Sequence, residues 1–285
     1  MRLIRQLVAS SQRDKQGDRF TVAALASMVD QANSAFIPYT FDHDPRIPPL
    51  GRIRKARLML LPNDEVAVEA DIEVFDEENI PPFDTTRKLP LESFDRPFIG
   101  YDANYRSAKN QKSIAKISEA LGSKGREDFK KSFEPVSVFT IIGAFVIGSF
   151  SGGFFKKIGS DAWDALKSEL KKLTFCGPKG QLFSFNFQAE QDGGPIIVEA
   201  IIPDPNPNDI ERFFSELPEL YKALKPLLQT DGLWKLVLES KGGRLKPLYG
   251  VRSDAIPIKL NANSLPISNV EGKKKSEKKM TTFRN

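Results

Sequence analysis

Cysteine and histidine are almost missing from this chain of 285 residues, which has one of each, Cys176 and His43. A single thiol excludes an intrachain disulfide and a cysteine-built zinc site. One imidazole excludes a histidine-rich metal centre. No metal and no cofactor is therefore expected. An excess of charge is also scarce outside one segment. The formal net charge is +5, but residues 271–285, EGKKKSEKKMTTFRN, hold six basic side chains against two acids, so the rest of the chain is near neutral. Net charge thus gives no reason to expect a broad phosphate-binding face, although local patches stay open. Residues 261–285 read as a basic disordered tail. The apolar run in MRLIRQLVASSQRDKQGD is broken at Arg5, so the 7 to 15 apolar residues of an export signal are absent there and no cleaved signal is expected.

What is present begins with alternation. RLIRQLVAS reads as a strand, and DRFTVAALASMVDQAN as a helix capped by Thr21 with Val22, Leu25, Ala26 and Val29 on its apolar face. RIRKARLMLLP and EVAVEADIEVF alternate on either side of PND, the pattern of a β-hairpin. QKSIAKISEALGSKGREDFKKSF reads as a helical connector. Further on, QLFSFNF, PIIVEAII, a helix within NPNDIERFFSELPELYKALKPLLQ kinked at Pro218, LWKLVLE and RLKPLYGVR give a strand-strand-helix-strand-strand unit.

Between these lies VSVFTIIGAFVIGSFSGGFF, residues 136–155, without one charged side chain. As a helix rising about 1.5 Å per residue it would span roughly 30 Å, the thickness of a bilayer's hydrocarbon. On that reading Ser137, Thr140, Ala144, Gly148, Ser151 and Gly152 share a small, weakly polar face suited to helix packing or a pore lining, opposite Phe139, Ile142, Val146 and Phe150. The following GSDAWDALKSELKKL, capped by Ser160, places Ile158, Ala162, Leu166, Leu170 and Leu173 on one stripe, the mark of an amphipathic helix lying on a membrane or a partner. Four basic residues precede the run and five follow it, so orientation is not readable.

His43 sits between Asp42 and Asp44 ahead of a proline-rich turn and a basic strand, FDHDPRIPPLGRIRK. An imidazole beside carboxylates suits proton transfer, and it equally suits a capped turn. Taken with VASSQRDKQGDRFTVAALASMVDQAN and PPLGRI, residues 1 to about 101 resemble the prohead (capsid maturation) protease family of tailed phages. That resemblance implies a small β-barrel-like fold in which a histidine partners a serine carried on a later strand, in a Ser-Ile-Gly-Phe or Ser-Ile-Gly-Tyr pattern. The matching place is PFIGYDA, where Ile99, Gly100 and Tyr101 fit and Phe98 stands where the serine belongs. Without a hydroxyl there is nothing for His43 to activate. Ser93, Ser107 and Ser113 have no spacing to recommend them. His43 then reads as the remnant of a catalytic turn, kept for packing or for holding a ligand together with Arg46 and Arg52.

The expected fold is α+β. Its parts are a β-rich prohead-protease-like domain over residues 1–108, a helical connector over 109–135, a transmembrane helix over 136–155, an amphipathic helix over 156–175, and a small α+β domain over 180–260. This plan is similar to the membrane effectors of bacterial anti-phage systems, the oligonucleotide-regulated channel effectors of the Hailong type among them. The resemblance implies a non-enzymatic protein of the bacterial inner membrane that forms homo-oligomeric channels under control of a nucleotide or oligonucleotide ligand and a partner signalling enzyme. The alternatives are a membrane-tethered serine protease using His43 and a phage assembly-associated protein.

Overall fold

The alternation in the N-terminal third produces a sheet. The computed structural model describes residues 2–13, 19–40, 44–76, 81–89, 97–102, 105–123, 125–127, 137–147, 160–173, 180–189, 194–241 and 244–260. Strands β1 (Arg2–Ser10), β2 (Ile37–Tyr39), β3 (Gly51–Leu60) and β4 (Val66–Val74) pair antiparallel in the order β1-β4-β3-β2. The PND turn closes the β3–β4 hairpin, with Asn63 at φ 70°, a conformation asparagine tolerates better than most residues. Helix α1 (Val22–Ser34) starts where expected, with the Thr21 hydroxyl accepting from the Ala24 amide at 3.1 Å. It buries Leu25 and Ala32 against Ile53, Val68, Ala70 and Ile72. Gly51 of PPLGRI is required by close approach, because a β-carbon there would lie 2.4 Å from the Glu73 carbonyl oxygen.

The second sheet has eight strands. These are β5 (Phe98–Tyr101), β6 (Gly125–Glu127), β7 (Ser137–Ile147), β8 (Gln181–Ala189), β9 (Ile196–Pro203), β10 (Leu233–Lys241), β11 (Arg244–Arg252) and β12 (Pro257–Ile258). Their order is β12-β11-β10-β9-β8-β7-β5-β6. Three neighbouring pairs are parallel, β5 with β6, β7 with β8 and β9 with β10. Parallel neighbours need a crossover, and each pair has a helix in its connection. In turn these are α2 (Ala108–Ala120), α3 (Ser160–Leu170) and α4 (Pro207–Leu228). Ile114 and Ile117 of α2, Leu166 and Leu170 of α3, and Ile210, Phe213 and Phe214 of α4 join a single core with Phe139, Phe183, Phe185 and Phe187 of the sheet. The Phe185 ring lies 5.2 Å from Phe214 and 5.7 Å from Phe213, both edge-on, the arrangement the ring quadrupole favours.

The fold is α+β, as expected, and the transmembrane helix is corrected. Residues 137–147 form β7, an inner strand with β5 on one side and β8 on the other. Phe139 and Ile141 are buried against the helices and Val138, Thr140 and Ile142 are half-buried on the opposite face, so this inner strand carries no charge on either and reads as a continuous apolar run. Val138, Phe139, Thr140, Ile141, Ile142, Phe145, Val146 and Ile147 are β-branched or aromatic, the residues a pleated surface favours. Glycine at 143 and 148 weakens a helix. No helix among the described residues is long and apolar enough to cross a membrane. The stripe of α3 is corrected as well, since Leu166, Leu170 and Leu173 are buried in the chain's own core.

The expected boundaries also shift. The strand-strand-helix-strand-strand unit exists as β8, β9, α4, β10 and β11, but β7 and β5 extend its sheet. Phe98–Tyr101, expected in the first domain, pairs with β7 in the second sheet, and the 109–135 connector contributes α2 to the main core. A third cluster joins the two sheets, with Phe36 and Leu89 against Leu182, Ile201, Val237 and Tyr249.

Candidate functional site

Four charged or polar clusters are candidates for a site, and the first is where Arg52 lies. Arg52 on β3 is 2 % exposed. Its Nε donates to Glu73 Oε2 at 2.6 Å and its Nη1 to the Asp254 carbonyl oxygen at 2.8 Å. The guanidinium also stacks over the Phe36 ring at 4.2 Å. Arg87 stacks over that ring at 4.6 Å and donates to the Arg54 carbonyl at 2.7 Å. Asp84 accepts from Arg54 at 2.9 Å, and its amide donates to Asp254 Oδ2 at 3.0 Å. The Thr86 hydroxyl bonded to Asp84, helped by Arg54 and Arg52, holds that carboxyl down to about 2 despite the opposing effect of burial. Arg52 and Arg54 are paired with Glu73, Asp84 and Asp254, while Arg87 donates to the backbone carbonyls of Ala32, Asn33 and Arg54. Arg52 clasps the two sheets together, and it is not available to an outside anion.

Arg46 is engaged in a second way. Asp44 takes a bidentate grip on its guanidinium at 2.7 to 3.1 Å, which raises the Arg46 pKa and closes the 44–47 turn. The turn is seated on the second sheet, where the Tyr249 hydroxyl donates to the Pro45 carbonyl oxygen at 2.7 Å. Burial, with Glu199 and Asp44 nearby, raises Tyr249 far above the ordinary phenol range, so it stays a neutral donor. His43 and Asp42 lie outside the described residues. The turn beside them rests on β11, five strands from β5, which at about 4.8 Å per strand is roughly 24 Å. Phe98 and the Ile99-Gly100-Tyr101 strand are therefore not brought to the Asp44 turn. The pore residues are not gathered either. Ser137, Thr140 and Ala144 lie on β7, whose two-residue period dissolves the helical face that would have joined them, and Gly148, Ser151 and Gly152 lie outside the described residues.

Beneath this turn the second sheet carries a polar group that the sequence patterns did not single out. Ser184 donates its hydroxyl to Glu199 Oε1 at 2.5 Å, Asn186 Nδ2 donates to Ser184 Oγ at 3.0 Å, and Lys235 Nζ lies 2.5 Å from Glu199 Oε2. Alternation puts these residues on the face opposite the helices, with Asn186 directly across from Glu199. Serine, carboxylate and lysine are the elements of a nucleophilic site. Here Ser184 is wholly buried in mid-strand and its proton is committed to a carboxylate, so it cannot reach a substrate carbonyl. The cluster satisfies buried polar atoms, and its role is structural.

The fourth cluster is open. Lys109 at the start of α2, Lys171 and Lys172 just after α3, and Asn206 and Pro207 at the start of α4 line a groove of about 430 Å³ together with Leu173 and Pro205. Lys171 pairs with Glu211 at 2.9 Å and Lys172 with Glu169 at 2.7 Å, both pairs near the surface. The amides of Asn208 and Asp209 are already taken by the Asn206 side chain. Any anion held here would thus be held by lysines and not by the helix end. The sequence signal was the Lys171-Lys172 pair, which reads as ordinary helix termination until α2 is known to lie alongside. Among the described residues no group of three or more His, Cys, Asp or Glu is placed to hold a metal.

Comparison with known proteins finds no matching family model, no matching curated protein and no matching solved structure.

Proposed function

We propose that this chain is a non-enzymatic receptor for a compact phosphate-bearing ligand, a nucleotide or short oligonucleotide, bound in the α2–α3–α4 groove. One observation carries the reading, the convergence of Lys109, Lys171 and Lys172 on one groove. Lysines attract phosphate as point charges. The volume falls among small-ligand sites of about 300 to 1,000 Å³ and is too small for a duplex. The ion pairs of Lys171 and Lys172 are worth at most about 1 kcal/mol each near the surface, so a phosphate dianion can displace them. The membrane-channel expectation rested on residues 136–155 as a helix, and that basis is gone for 137–147.

The test is fluorescence polarisation with labelled nucleoside triphosphate and labelled dinucleotide, set against the unphosphorylated nucleoside and anionic lipid vesicles. The reading expects the phosphorylated probes alone to bind, with a tenfold or greater loss in Lys109→Glu/Lys172→Glu and no turnover of the probe. Equal binding of the nucleoside, or an unchanged affinity in that variant, overturns it. Binding confined to vesicles makes the groove a lipid-headgroup site, and hydrolysis of the probe makes the protein an enzyme.

A further inference from the structure

The edges of the two sheets are not alike. β2 is three residues long and contains Pro38, β12 is two residues long and begins with Pro257, and β6 is three residues long. Short strands and proline are the usual means of keeping an edge from pairing with another chain. β1 has neither. It runs nine residues without proline, ends the first sheet, and shows Leu3 66 %, Leu7 47 % and Val8 39 % exposed. Its single irregularity is a register shift between Leu7 and Ala9, so Arg2 to Leu7 pair without a break.

We propose that two copies of this chain associate through β1, antiparallel and edge to edge, with Arg5 on the two-fold axis. The sequence around Arg5 selects that register. Leu3 and Leu7 lie two residues to either side of it, so an antiparallel copy sets Leu3 against Leu7 of the second copy and Leu7 against its Leu3. Directly opposed residues share a face, and both exposed leucines are covered at once. The alternative occupant, an unrelated strand, has no reason to match this symmetry. The two Arg5 side chains would repel if bare. Each is instead bound to its own Asp71, Nε to Oδ1 at 2.8 Å, so the axis holds two neutral pairs. The result joins two four-stranded sheets into one of eight, with α1 of each copy on the same side. An edge this short is smaller than a standard interface, so the association belongs to the weak, concentration-dependent class. It does not depend on the ligand groove.

Cross-linking reads the register. In a Cys176→Ser background, Arg5→Cys places two thiols on the axis, whereas Gln6→Cys opposes Ile4 of the second copy and points to the other face. The proposal expects a covalent dimer from Arg5→Cys under mild oxidation at least tenfold faster than from Gln6→Cys. Light scattering of the unmodified chain should show mass rising towards the dimer with concentration, and Leu3→Lys/Leu7→Lys should stay monomeric with an unchanged melting midpoint, since both side chains are exposed. A chain monomeric throughout, a dimer that survives Leu3→Lys/Leu7→Lys, or equal cross-linking at the two positions overturns the proposal.

Discussion

The two sheets dispose of their charge in opposite ways. The first keeps one apolar face for α1 and lays an ionic ladder over the other, where Arg57 bridges Glu69 and Asp71, and Asp71 also binds Arg5. The second is apolar on its helix-covered face, and the buried carboxylates on the other are held in closed sets, Glu199 with Lys235 and Asp254 with Arg52 and Arg252. A half-solvated sheet announces itself by alternation, as β1, β3 and β4 do. A sheet covered on both faces has inner strands without alternation, and β7 then looks like any other uncharged run. The comparison teaches that length and lack of charge do not separate a membrane helix from a buried strand. Branching and glycine content do.

The largest break in that comparison comes from the covered sheet. Phe139→Ala removes a fully buried ring that stands 5.3 Å from Tyr105 and 6.2 Å from Phe183, and it should cost about 4 kcal/mol in urea unfolding. Arg52→Ala, at the seam of the two sheets, leaves Glu73 buried without its near partner, while Asp254 keeps Arg252, and should cost about 3 kcal/mol. The loss should be smaller in Arg52→Ala/Glu73→Ala than in the single variant, because the stranded charge is gone. A milder probe of the same seam is pH. Asp84 is depressed in the folded chain, so its contribution is complete above the ordinary carboxylate range and is lost as pH falls from about 4 to about 2. Melting midpoints of Asp84→Asn should be lower than those of the unmodified chain at pH 7 and should converge on them near pH 2.

Most of the regular structure was legible. Thr21 named the start of α1, PND named the β3–β4 hairpin, and the five elements from β8 to β11 fell where periodicity put them. What escaped was everything set by pairing between distant segments. β5 reads as a continuation of the first domain until its register with Ile141 and Ile142 of β7 moves it to the second sheet. Leu166 and Leu170 read as a surface stripe until α2 and α4 cover them. Arg46 and Arg52 read as free cations because their carboxylates lie at Asp44, Glu73 and Asp254, and only the first of these is near in sequence. The lysine groove escaped for the same reason, since its walls come from three helices separated by about 100 residues.

Hydrogen exchange over residues 137–147, in aqueous buffer without detergent or lipid, tests the central claim that this uncharged run is an inner strand of the second sheet. The account predicts that its amides are protected as strongly as those of β8, and that Phe139→Ala lowers protection in both strands together. Rapid exchange of 137–147 in buffer, with protection gained only when detergent or bilayer is added, would contradict it and return the run to the membrane.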